Sequence, residues 1–277
     1  MICRADAAQV LWLLGYPDQA LKMSHNALTL AKELAHPFSL VWALYTAACL
    51  HMRQREGKAV REWVEAALAV STEHGLAQWS AWVAVHQGWA LTMEGQGEEG
   101  IAQIRRSLAA YRATGAEGGD PYLLALLAEA YGEVKQTEEG LNTLAEALEV
   151  ADRAGDYLWK ADLYQLKGQL TLQKEARGWR LETSPPSPQA SSLKPQVSRE
   201  VAQEAEGYFL KAIDIARNQQ AKSLELRATV SLARLWRQHG KQTEAHEMLA
   251  EVYNWFTEGF DTKDLQEAKA LLEELDR

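Results

Sequence analysis

The protein has 277 residues, of which 47% are hydrophobic and 24% are charged, a balance typical of soluble globular proteins. Its formal net charge of -9 argues against general nucleic-acid binding, which requires clustered Lys and Arg. No apolar run approaches the roughly 18 residues needed to cross a bilayer, so we predict neither a nucleic-acid nor a membrane partner. Only Cys3 and Cys49 are present, and this scarcity favours a reducing cytoplasm.

The sequence repeats itself with a period of 40 residues. One column of the repeat contains only small residues, namely Ala8, Ala48, Gly88, Ala128 and Gly168. Another column is uniformly apolar and consists of Leu28, Leu68, Leu108 and Leu148. Small residues suit points where two helices approach closely, and large apolar residues line one stripe of a helix. Each repeat is therefore predicted to be a helix, a turn and a second helix.

In chain order, we predict a single domain over 1–277 with six helical hairpins, at about 1–35, 36–75, 76–116, 120–155, 156–220 and 221–260. The turns contain polar residues or glycine, as at Gly15 and Gly95, and a glycine just past a helix end suits the left-handed cap. The predicted fold class is an all-α superhelix.

The fifth hairpin is lengthened by an insertion at about 175–199. Residues 184–188 read Ser-Pro-Pro-Ser-Pro, a composition that can neither continue a helix nor bury a core. We interpret this Pro/Ser loop as a spacer, with a docking or processing site as the alternative.

A closing helix is predicted over 262–276, capped by Asp261 or Thr262. Its inner stripe would consist of Leu265, Ala268, Leu272 and Leu275, and it would cover the apolar end of the stack. No equivalent helix is evident at the other end. We therefore expect an uncovered N-terminal face available for self-association, and upstream sequence in a longer gene.

The small-residue columns at positions 8, 20 and 27 of the repeat resemble the tetratricopeptide family. Units in that family have about 34 residues, so a 40-residue period implies longer helices. HEAT-like pairs have a similar period, but the small columns favour the tetratricopeptide interpretation.

Four segments carry a closer resemblance, namely 13–20, 124–132, 219–228 and 255–262. They are similar to the C-terminal repeat region of bacterial signalling proteins that also contain a class III nucleotide-cyclase-like domain and an ATPase of the STAND type. The resemblance implies a regulatory tail. It implies neither cyclase nor ATPase activity, because those domains lie outside this sequence.

No catalytic, metal-binding or cofactor-binding motif withstands inspection, so we predict a protein that is not an enzyme. Residues 95–100 match GxGxxG, but the match follows a predicted helix rather than a strand, and its two Glu would repel phosphate. His246-Glu247 begins like a zinc-protease motif, but Ala250 stands where the second His is required.

The concave groove is the remaining candidate site, because the first helices of successive hairpins line it in tetratricopeptide stacks. Groove positions in the first half are aromatic, at Trp42, Tyr45, Trp82, Trp89 and Tyr122. Those in the last hairpin are basic, at Arg227, Arg234 and Arg237. Aromatic side chains make good anchors and Arg can hold a carboxylate or phosphate. Alternatively, the aromatics pack between helices and the arginines pair with local Glu.

Two functional hypotheses follow. The first is an interaction and regulatory module that binds a protein or peptide in an open groove. The second is a sensor of a small effector, which predicts an enclosed pocket near Trp42, Trp82 and Trp89.

Overall fold

A computed structural model of the protein describes residues 1–116, 118–182 and 197–277, with side chains at all of these except 177–182. Over these residues the chain forms thirteen α-helices and no strand. The helices are α1 (Ile2–Leu13), α2 (Pro17–Leu34), α3 (Pro37–Arg53), α4 (Gly57–Glu73), α5 (Ala77–Met93), α6 (Gly97–Ala113), α7 (Asp120–Glu133), α8 (Thr137–Ala154), α9 (Lys160–Glu182), α10 (Arg199–Asn218), α11 (Lys222–Gln238), α12 (Gln242–Tyr253) and α13 (Lys263–Leu275). The predicted all-α superhelix is confirmed.

The turns repeat in backbone conformation as well as in position. Inside successive hairpins, a residue with positive φ follows the first helix at Gly15, Arg55, Gly95, Lys135 and Gly240. Only three of these are glycines, although a residue with a Cβ atom pays roughly 1–2 kcal/mol for this conformation. Packing of the helices therefore fixes the turn even where the local sequence does not favour it.

The small-residue columns mark close approaches between helices, as the period predicted. Ala8, Ala48 and Ala128 are completely buried. Gly88 of α5 lies so close to α6 that an added Cβ atom would stand 2.7 Å from the carbonyl oxygen of Gly100. The close approach explains why this column excludes larger side chains.

Helix α9 runs to Glu182 and therefore includes residues 175–182, which we had assigned to the Pro/Ser loop. The first prolines of the insertion are Pro185 and Pro186, and nothing before them forbids a helix. The loop prediction for 183–196 lies outside the described residues.

Helix α13 packs on α11 and α12 through Leu265, Ala268, Leu271 and Leu275. Leu271 takes the fully buried place that we predicted for Leu272, because both lie next to the same helical stripe. Thr262 occupies the N-cap position, but its hydroxyl donates to the carbonyl of Gly259 at 2.7 Å and does not cap the helix.

The superhelix curls until its last hairpin contacts its first. The hydroxyl of Ser223 donates to the carbonyl of Trp12 at 2.6 Å. The Glu258 carboxylate accepts hydrogen bonds from the backbone amides of Asp18 and Gln19, at 3.0 and 3.1 Å. Part of the first hairpin is therefore covered by the last one, whereas the sequence had predicted an uncovered N-terminal face. Self-association of the protein stays a prediction.

Candidate functional site

The inner face of the superhelix contains two cavities that meet. The first, the aromatic cavity, has a volume of about 450 Å³, and its rings are Trp42, Tyr45, Trp79, Trp82, Tyr111, Tyr122 and Trp159. The second, the charged cavity, has a volume of about 300 Å³, and its outer charged groups are Arg55, Glu129, Glu133, Arg227, Arg234, Asp264 and Glu267. Four residues line both cavities and form what we call the waist: Arg53, Tyr122, Trp159 and Asp162.

The walls of the aromatic cavity are held by ring contacts. The rings of Trp42 and Trp79 lie edge to face with centroids 4.9 Å apart, and those of Tyr122 and Trp159 stack at 4.4 Å. The indole Nε1 of Trp42 donates to the Asp6 carboxylate at 2.9 Å. Such pairs are rigid, so the cavity presents preformed aromatic surface to a ligand.

A buried polar network supports the floor of this cavity. His86 is completely buried, and burial lowers its pKa to about 4. The ring is therefore neutral at pH 7. Its Nδ1 lies 3.1 Å from the carbonyl of Trp82, to which only a protonated nitrogen can donate, so Nε2 accepts from the Tyr122 hydroxyl at 3.0 Å. The network fixes Tyr122 at the waist.

The arginines of the charged cavity pair with carboxylates of α13. Arg227 Nε donates to Asp264 at 2.7 Å, and Arg234 donates to Glu267 at 2.8 Å. Arg55 bonds to both carboxylates. Burial alone would raise the pKa of Glu267, but the bond from Arg234 and the charge of Arg55 outweigh it and lower that pKa. The arginines therefore pair with nearby carboxylates, as in the alternative interpretation of the sequence, and these carboxylates belong to the closing helix.

The opposite wall carries two acidic groups with raised pKa values. Burial raises the pKa of Glu129, whose carboxylate accepts from the Trp89 indole at 2.8 Å. Burial also raises the pKa of Asp162, against the opposing influence of Arg53 and Arg227. The charged cavity therefore disfavours additional negative charge on this wall.

Seven of the eight predicted groove residues line the two cavities. The aromatic cavity is lined by Trp42, Tyr45, Trp82 and Tyr122. The charged cavity is lined by Trp89, Arg227 and Arg234, and also by Tyr122. Arg237 lines neither cavity and pairs with Glu274 of α13. The groove is closed along one side by the contact between the end hairpins, which differs from the open groove of our first hypothesis.

Sequence reasoning missed four important lining residues: Trp79, Trp159, Arg53 and Asp162. A signal for two of them was present, because Trp79 and Trp159 are 80 residues apart and share one column of the repeat. That column lies at the entry to each first helix, three residues before the first column that we assigned to the groove. Asp162 stands in the same repeat column as Trp42 and Tyr122, whereas nothing in the local sequence distinguishes Arg53 from a surface charge.

Paired helices on a 40-residue period, crossing at small residues around an inner groove, define a tetratricopeptide-like repeat superhelix. Solved structures agree with this class. The chain is similar to NprR in complex with its cognate peptide NprX, with a TM-score of 0.60 and 15% identity over 98% of this chain and 70% of that one.

It is also similar to the apo form of RapI, with a TM-score of 0.55 and 12% identity over 99% of this chain and 85% of that one. A third similar structure is BtubC from P. vanneervenii, with a TM-score of 0.51 and 15% identity over 94% of this chain and 90% of that one. No protein-family model and no curated protein matches the sequence. At these identities the similarity establishes the fold.

Two further observations concern only the part of the chain that the structure describes. No helix there combines the length and apolar character needed to cross a membrane. No cluster of three or more His, Cys, Asp or Glu side chains there has an arrangement suited to a metal ion.

Proposed function

We propose that the protein is a regulatory recognition module that binds a peptide segment of a partner protein along its inner groove. The observation that carries this proposal is the continuity of the two cavities through the waist. An extended peptide that follows this path meets a pocket for a large apolar side chain and then a polar stretch with paired charges. Apolar anchoring beside a polar section is the usual anatomy of peptide recognition.

The comparison with NprR supports the proposal, because that protein was solved with a bound peptide. The resemblance of the repeat segments to STAND-type signalling proteins supports a further proposal, that this module is the tail of a larger bacterial protein. Reading the domains specified by the adjoining coding sequence tests that second point directly.

Substitution at Trp79 tests the peptide proposal. Peptides are selected from a random library on the wild-type protein, and their affinities are then measured on Trp79→Ala and on Trp63→Ala. Trp79 lies in the aromatic cavity, whereas Trp63 stacks on His51 outside it. We expect Trp79→Ala to weaken binding by roughly tenfold or more, since central aromatic anchors contribute about 2 kcal/mol.

Trp63→Ala is the matched control and should leave the affinity unchanged. A library that yields no binder, or binders that ignore Trp79, would rule out this groove as the peptide site.

A small-effector sensor is the second candidate, and the aromatic cavity specifically favours it. Its volume of about 450 Å³ falls within the range of known small-molecule sites, and seven aromatic rings line it. It lies at Trp42 and Trp82, as that hypothesis predicted, but Trp89 lies in the charged cavity. A thermal-shift screen against metabolites tests it, because a ligand that binds the folded state raises the melting temperature.

A further inference from the structure

Arg53 differs from the other arginines at the groove. Arg55, Arg227 and Arg234 each pair with a carboxylate of α13. Within the described residues, the Arg53 guanidinium makes no ion pair and no hydrogen bond, and its Nε is buried without a partner. Its one side-chain contact of note is with the Trp12 ring, 4.7 Å from the guanidinium carbon. A buried donor without an acceptor is costly, so an anion at this point would be stabilised.

Asp162 carries the opposite charge at the same waist and also lacks a partner. Among the described residues its carboxylate accepts no hydrogen bond and forms no ion pair, Arg53 included. Burial raises the pKa of Asp162 in spite of the opposing charges of Arg53 and Arg227, so these cations do not offset the loss of solvation of this carboxylate. The waist therefore offers one group that can bind an anion and one that can bind a cation, and no hydrogen bond or ion pair joins the two.

The aromatic cavity opens directly beside these two groups. Tyr122 and Trp159 form part of its wall and also line the waist. A ligand with charges at the waist would project its remaining part between aromatic faces. Such surfaces favour aromatic or large aliphatic groups.

We propose that the waist and the aromatic cavity together bind a free α-amino acid with a large apolar side chain. Its carboxylate bonds to Arg53, its ammonium group bonds to Asp162, and its side chain enters the aromatic cavity. This site goes beyond the proposed peptide function, because a free amino acid satisfies both unpaired charges with adjacent groups of one small molecule. An internal peptide segment lacks both the α-carboxylate and the α-ammonium group.

Isothermal titration with L-phenylalanine and three truncated analogues tests the proposal. 2-Phenylethylamine lacks the carboxylate, 3-phenylpropionate lacks the ammonium group, and glycine lacks the side chain. We expect L-phenylalanine to bind and each analogue to bind at least about tenfold more weakly, since each loses one charge-assisted contact or the apolar contact. L-Tryptophan and L-leucine are titrated in parallel to cover the range of side-chain size.

Variants assign each charge to its receptor. Arg53→Met should abolish the preference for L-phenylalanine over 2-phenylethylamine and keep the preference over 3-phenylpropionate. Asp162→Asn should do the reverse. Arg61→Met is the matched control, because Arg61 pairs with Glu94 away from the groove and should change neither preference.

Two results would overturn the amino-acid site. One is the absence of binding by all three amino acids at millimolar concentration. The other is equal binding of L-phenylalanine and its two charge-truncated analogues, which would leave the aromatic cavity as a simple apolar pocket. Both comparisons use the wild-type protein, so they decide even if a variant fails to fold. Neither result affects the Trp79-dependent peptide test, so the two proposals fail separately.

Discussion

At the scale of single residues, the groove is built from side chains whose neighbours set their chemistry. His86 would be a candidate base by type, but complete burial holds it neutral, and its hydrogen bonds to the Trp82 carbonyl and the Tyr122 hydroxyl make it a support for Tyr122. Arg53 and Asp162 are ordinary surface residues by type, but their position at the waist leaves both without a partner. Residue type alone is therefore a poor guide to role in this groove.

The first prediction concerns the pH dependence that His86 imposes on stability. Its pKa is about 4 in the folded protein and about 6.5 when unfolded, so the unfolded state binds more protons between these values. Stability therefore rises with pH in this window. The contribution is complete above pH 6.5 and is lost as the pH falls toward 4, by about 3 kcal/mol in all.

Urea denaturation of the wild type and His86→Gln at several pH values measures this contribution. We expect the difference in unfolding free energy between the two proteins to shrink as the pH falls from 6.5 to 4. His74→Gln, at an exposed helix end, is the control and should show no such change. A difference that is constant with pH would contradict the buried neutral His86.

At the scale of helices, the repeat is maintained by close approach at small residues. The contact between α5 and α6 is an extreme case because Gly88 and Gly100 face each other there. Elsewhere in the stack a glycine leaves room for a large side chain of the neighbouring helix, as where the ring of Phe209 packs against Gly168. The residue types in the repeat columns are therefore set more by the distance between packed helices than by the helix propensity of each residue.

Gly88→Ala should destabilise the protein, although alanine is the better helix former. The new methyl group would stand 2.7 Å from the Gly100 carbonyl and 2.9 Å from the Ile104 amide, and neither backbone atom can move freely. We expect a loss of about 1–3 kcal/mol in unfolding free energy.

Gly207→Ala in α10 is the matched control, because nothing lies within 4 Å of its added methyl group. We expect it to stabilise by about 0.5–1 kcal/mol through helix propensity alone. Chemical denaturation of both variants measures the contrast, and equal signs for the two would contradict the close-packing account.

At the scale of the whole molecule, the decisive feature is the contact between the first and last hairpins. The same closure brings Arg55 of the second hairpin to α13, where Asp264 and Glu267 also neutralise Arg227 and Arg234 of the neighbouring α11. It also closes one side of the path that a ligand would follow. A stack with the same hairpins and slightly less curvature would separate Arg55 from α13 and present an open surface.

Gly259→Ala tests this closure. Gly259 has a φ of 73° and an added methyl group would collide with the ring of Pro17 in the first hairpin. Gly75 has a φ of 66° with nothing within 4 Å, so Gly75→Ala suffers the backbone strain without the collision. We expect Gly259→Ala to lose about 1–3 kcal/mol more stability than Gly75→Ala.

Hydrogen exchange gives the local readout of the same experiment. The amides of Asp18 and Gln19 donate to Glu258 across the closure, so they should exchange faster in Gly259→Ala and normally in Gly75→Ala. Equal stability losses with unchanged exchange at these two amides would show that the closure is not stabilising.

The sequence by itself determined the helices, their pairing and most of the residues that face inward. These features repeat every 40 residues because each depends on local periodicity and on close contacts between neighbours in the chain. The positions at Trp42, Tyr45, Trp82 and Tyr122 followed from that repeat together with the resemblance to tetratricopeptide stacks. The column of Trp79 and Trp159 was equally visible in the sequence, three residues before the first column that we selected.

Only the tertiary structure decided that the ends meet, that Arg55 of the second hairpin pairs with α13, and that Arg53 and Asp162 share a waist. The physical reason is that curvature accumulates from small rotations between successive hairpins. No single repeat encodes their sum. Contacts such as that between Glu258 and Gln19, 239 residues apart, depend on this sum and leave no local signature.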